Sequence, residues 1–236
     1  LARVMSKRKY DATIVFMTVP GEEQGLLGAA YYAQQAVEKK IDIEGMFTND
    51  IVGGVTTMKK SPNRNRVRVF SEGVPSNETE QQATTRRSVG GENDSQSRQL
   101  ARYIKEQSDR YLKTVKVGMI YRRDRYGRGG DHIPFVERGF SGVRFTESDE
   151  DYTHQHQNVR TEAGVFYGDT PEFVDFEYTA NVTRVNLIAL ASLANAPARP
   201  KAVTMVNRLN NNTELTWEAN KEADLAGYEI VYRDTT

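Results

Sequence analysis

Residues 12–19 run ATIVFMTV, a continuous β-branched and apolar stretch that predicts a strand buried on both faces. Pro20-Gly21 stops it, and the period then changes. Leu26, Leu27, Ala30, Ala33 and Val37 recur at helical spacing, predicting a helix from about 22 to 39. Strands are expected at 43–51, 67–70, 115–121 and 142–146. Helices are expected from near Ser95, with Leu100, Ile104 and Leu112 on one side, over about 132–138, and from Pro171 to about 194. Proline suits the first turn of that last helix. Leu1 to Met5 read as the end of a helix before Lys7-Arg8-Lys9. Residues 74–94, rich in Ser, Thr, Asn and Glu, read as a polar surface excursion.

Strands alternating with helices over 1–195 imply an α/β layer fold with a largely parallel central sheet. Ala196-Pro-Ala-Arg-Pro200 reads as a linker, after which the pattern becomes short strands at 202–206, 213–217 and 228–232. Trp217 followed by Asp224-Leu-Ala-Gly-Tyr-Glu-Ile-Val-Tyr232 resembles the B and C strands of a fibronectin type III domain. A whole sandwich needs about seven strands over roughly 100 residues. Residues 201–236 are therefore expected to form only a partial β-sandwich module.

Composition narrows the function classes. Lys+Arg and Asp+Glu balance at 32 each, so no global field favours nucleic acid or an anionic membrane. No apolar run approaches the roughly 18–20 residues of a membrane span. The absence of cysteine excludes disulfides and thiolate metal sites.

Three places carry candidate chemistry. Glu22 and Glu23 lie in Pro20-Gly-Glu-Glu-Gln-Gly-Leu-Leu-Gly28, directly after the first expected strand. Open α/β sheets place their sites at such strand ends. One carboxylate there can hold a divalent metal while its neighbour moves a proton, although acids at a helix start also serve the helix dipole. Asp50, in Thr48-Asn-Asp-Ile-Val-Gly53, ends the next strand and can face the same crevice, or it is an ordinary turn residue. The three histidines all fall late: His132 after Gly127-Arg-Gly-Gly-Asp131, and His154 and His156 in Thr153-His-Gln-His-Gln157. Neutral imidazole is the commonest metal ligand.

Glu22-Glu-Gln-Gly-Leu-Leu-Gly28, Asn49-Asp-Ile-Val-Gly53, Gly129-Gly-Asp-His-Ile-Pro-Phe135, Val143-Arg-Phe-Thr-Glu147 and His154-Gln-His156, in that order, resemble the M28 metallopeptidases over residues 1–195. The resemblance implies a three-layer zinc-exopeptidase fold and a co-catalytic pair of zinc ions that removes N-terminal residues from peptides. It makes Glu22 the general base, Glu23 a ligand of one ion and Asp50 a ligand of the other. One late histidine joins Glu23, with His156 favoured over His154. Asp131 and the other histidine are supporting residues, and Tyr126 stands where some relatives stabilise the oxyanion.

The family also uses a His-x-Asp segment and a bridging Asp upstream of the Glu-Glu pair. Here no His precedes His132, and Asp11 is the only acid before Glu22. The chain is accordingly expected to lack an N-terminal segment of the same protein that carries part of the metal shell. Two rival readings keep the fold. One is a glutaminyl-cyclase-like zinc acyltransferase, suggested by Asp131-His-Ile-Pro-Phe135; the other is a non-catalytic, peptidase-like binding ectodomain. By analogy with peptidases bearing such modules, the protein is expected to be secreted or periplasmic.

Overall fold

The structure, a computed structural model, describes residues 1–54, 63–206 and 211–232. Helix α1 (Ala2–Met5) is followed by an extended segment, then α2 (Leu27–Glu38), β1 (Met46–Asn49), β2 (Arg66–Ser71), α3 (Glu80–Val89) and α4 (Gln96–Tyr111). Next come β3 (Lys116–Ile120), α5 (Ile133–Val136), β4 (Gly142–Glu147), the hairpin strands β5 (Arg160–Glu162) and β6 (Val165–Tyr167), and α6 (Phe176–Ala194). Strands β7 (Lys201–Val206) and β8 (Glu214–Glu218) end the series.

The central sheet is mixed rather than largely parallel. Its order is β1-β4-β2-β3, with β1 parallel to β4 and β2 parallel to β3, while β4 and β2 run antiparallel. Apolar composition marks a buried strand but not its direction, which depends on the side from which the connection re-enters the sheet. All of β4 is buried, as expected for a strand flanked by strands and covered on both faces. Val143 and Phe145 join Val67, Val69 and Val117 in the core under α4 and α6, where Leu100, Ile104, Val182 and Val185 meet them. Strand alternation sends Arg144 and Thr146 to the opposite face. A second cluster joins α2 to α5 through Ala29, Ala33 and Phe135.

Three further expectations change. The segment 12–19 is extended but forms no strand among the described residues, and Val15 and Phe16 are 62% and 45% exposed. Apolar sequence makes a strand only when a neighbour completes the ladder. The polar stretch 74–94 contains α3. Its N-cap Thr79 accepts the Gln82 N–H, Gln82 Oε1 accepts the Thr79 N–H at 2.8 Å, and Gly90 closes it in the left-handed region at φ 64°. In the C-terminal segment β7 and β8 form an antiparallel hairpin, and Trp217 meets Tyr228 edge-on at 5.2 Å. Residues 228–232 form no strand, so the described residues build no sandwich there. Among the described residues no helix is long and apolar enough to cross a membrane.

Candidate metal centre

The two adjacent acids sit in a tight turn ahead of α2. Gly21 takes φ +72°, and the Glu22 carbonyl accepts the N–H groups of Gly25 and Leu26 at 3.1 and 2.9 Å. Gly28 is needed for a different reason: its N–H donates to the Pro20 carbonyl at 2.9 Å, and a Cβ there would meet Pro20 atoms at 2.6 to 2.9 Å. This close approach folds the turn back onto the end of the preceding segment.

Asp50 follows β1 at its C-terminal end, and β4 sets its backbone. The Asp50 N–H donates to the Phe145 carbonyl at 3.1 Å, and the Thr146 hydroxyl donates to the Asp50 carbonyl. The Glu147 N–H donates to Ile51 O at 2.8 Å, while Ile51 adopts φ +58°. Glu147 closes the loop by accepting the N–H groups of Gly53 and Gly54, both at 2.8 Å.

His156 projects from the loop after β4, with φ +56°. Its Nε2 lies 3.3 Å from Glu23 Oε1, with both side chains more than half exposed. His154 is engaged elsewhere. Its Nδ1 is 2.8 Å from Asp151 Oδ2, and its ring stacks on Phe173 with centroids 3.6 Å apart. Glu23, Asp50, Gly53, Glu147, His154 and His156 are among the residues lining one cleft of about 690 Å³.

The acids influence one another. Burial raises the Glu22 carboxyl above its usual range, and the negative charges of Asp50, Glu23 and Asp131 add to this, while Arg144 opposes it. Asp131 is raised by burial and then by Asp50. Its Oδ1 is buried without a hydrogen-bond partner among the described residues. Glu22, Glu23, Asp50 and Asp131 thus share one electrostatic neighbourhood. Tyr126 does not join them; it is 93% exposed and does not line the cleft.

Two ligand atoms about 2.0–2.1 Å from a tetrahedral zinc stand roughly 3.3–3.4 Å apart. The Glu23–His156 separation fits two corners of such a shell. Among the described residues no group of three or more His, Cys, Asp and Glu converges to hold a metal.

Three residues without an assigned role in the sequence also build this region: Arg144, Asp124 and Glu147. Arg144 is the largest fully buried side chain among the described residues, and it touches both Asp124 and Asp50. The signal lay in the charges of Gly142-Val-Arg-Phe-Thr-Glu147, which are out of place in a run that otherwise reads as a buried strand.

Carboxylates and a histidine thus gather near the C-terminal ends of β1 and β4, where α/β sheets place their sites. The model of peptidase family M28 matches residues 1–162, and the chain belongs to that family. It is 45% identical over 237 residues to a probable zinc metalloprotease of Leptosphaeria maculans, matching all of this chain and 55% of the relative. It is 46% identical over 243 residues to one from Pyricularia oryzae, matching all of this chain and 48% of that protein. The chain thus spans about half the length of the curated relatives it matches. Among solved structures, an aminopeptidase from Aneurinibacillus sp. strain AM-1 superposes with TM-score 0.53 and 21% identity, over 82% of this chain and 36% of that one. A zinc aminopeptidase from Bacillus subtilis gives TM-score 0.52 and 20% identity, over 85% and 40%. These two show a shared fold.

Proposed function

We propose that this chain forms the larger part of the catalytic domain of a zinc-dependent peptidase that removes N-terminal residues from peptides. Glu23 and His156 hold one ion, Asp50 holds a second, and upstream sequence of the same protein completes the shell. The approach of Glu23 to His156 at a zinc-compatible 3.3 Å is the observation that carries this reading. When bound, zinc polarises the scissile carbonyl and makes water a nucleophile at neutral pH. Glu22 serves as general base: it takes a proton from the attacking water and returns it to the leaving amine. Its raised proton affinity, caused first by burial and then by Asp50, suits that exchange. Asp131, close enough to respond to Asp50, supports the site. The names of the curated relatives support zinc and proteolysis; the aminopeptidase neighbours support the fold. Export from the cell belongs to the same proposal.

Hydrolysis of an aminoacyl p-nitroanilide by the full-length protein tests it. Turnover should vanish with a zinc chelator and return with added zinc. Cyclisation of an N-terminal glutamine without anilide hydrolysis would make the protein an acyltransferase. No zinc and no turnover of either substrate would make it a binding domain.

A further inference from the structure

We propose that Arg144 is a positioning residue for the metal site: its guanidinium engages one carboxylate oxygen of Asp50 and turns the other toward the cleft. This rests on the reading of Asp50 as a metal ligand. Arg144 is 0% exposed, and burying a guanidinium costs several kcal/mol unless it is paired. Asp124, itself almost fully buried, supplies that pairing. Arg144 Nη1 lies 3.0 and 3.3 Å from the two Asp124 oxygens and also donates to the Gly129 carbonyl.

One carboxylate neutralises one guanidinium, yet a second lies against it. Nη2 stands 2.8 Å from Asp50 Oδ2, an ion pair outside hydrogen-bond alignment, and neither Nη2 nor Nε has a hydrogen-bond partner among the described residues. The Asp50 side chain is 31% exposed, and it lines the cleft. The pair therefore joins a fixed buried cation to a carboxylate that reaches the cleft. Because β4 already sets the Asp50 backbone through Phe145 and Thr146, the free variable left is the side-chain torsion. The guanidinium, anchored behind by Asp124, fixes it. Arginine suits this role because its planar fork engages two carboxylates at once; the single ammonium of lysine does not.

The test is zinc titration of the full-length protein by competition with a chromophoric chelator, comparing wild type, Arg144→Lys, Arg144→Gln, Asp50→Asn and the Arg144→Lys/Asp50→Asn pair. Loss of a partner that orients a metal ligand weakens metal binding about 10–100-fold. We expect Arg144→Lys to weaken one zinc by that factor and to leave the other unchanged. It should lower kcat more than it changes KM, and add nothing in the Asp50→Asn background. A loss that persists undiminished in Asp50→Asn overturns the proposal, as does tighter zinc binding in Arg144→Lys. So does failure of both Arg144 variants to fold while Asp50→Asn folds, since Arg144 would then serve the core alone. If wild type binds zinc and Arg144→Lys matches it, only the positioning role fails. If wild type binds none, the metallopeptidase reading fails with it.

Discussion

Glu147 Oε2 accepts the Gly53 N–H at 2.8 Å, and the Gly54 N–H at the same distance, while Oε1 stays buried without a partner. Burial outweighs these two hydrogen bonds and pushes the carboxyl from 4.5 up to about 8. Between those values the unfolded chain releases a proton that native Glu147 keeps. The stabilisation from this group is complete below about pH 4.5 and is lost as pH rises through about 8. The slope per proton is at most about 1.4 kcal/mol per pH unit. Glu147→Gln keeps an acceptor for both amides, so its denaturant-unfolding stability should fall less between pH 5 and 8 than that of wild type. Parallel profiles for the two proteins would refute a buried, protonated Glu147.

His132 titrates in the opposite sense. Its Nε2 lies 2.8 Å from the Arg123 carbonyl, which selects the Nε2–H tautomer, and burial lowers it from 6.5 to about 4. Its stabilisation is present above about pH 6.5 and fades as pH falls through about 4. In equilibrium unfolding, the stability difference between wild type and His132→Gln should be constant above pH 6.5 and shrink below it. A difference that does not vary with pH would contradict the buried neutral imidazole.

The two late histidines should separate cleanly. His156→Ala should reduce zinc content, measured by inductively coupled plasma mass spectrometry, with little change in melting temperature. His154→Ala should keep its zinc but lose about 2 kcal/mol of stability, because it gives up the Asp151 contact and the ring stacked on Phe173. The reverse pattern would exchange their roles.

Glu22→Gln should lower kcat about 10²–10⁴-fold with zinc content retained. Equal turnover at equal metal loading would remove Glu22 as the base.

Periodicity and turn chemistry by themselves determined the helices with a clear apolar stripe, the buried strands β2, β3 and β4, and the motif order of the family. These depend on short-range pattern, which a linear sequence displays. Helix α3 went unread because only Ala83 of it is buried, although the Thr79-x-x-Gln82 capping box was legible. Tertiary structure alone decided the rest. Residues 12–19 have strand composition, yet with no strand paired to them among the described residues they stay extended. The antiparallel junction of β4 with β2 follows from how the chain re-enters the sheet. The different surroundings of His154 and His156 depend on Asp151, Phe173 and Glu23, and the last of these contacts spans most of the peptidase segment. Arg144 has no partner legible in the sequence, and the fold brings Asp50 and Asp124 to it. Burial makes such a charge costly, and only spatial proximity supplies the partner that offsets the cost.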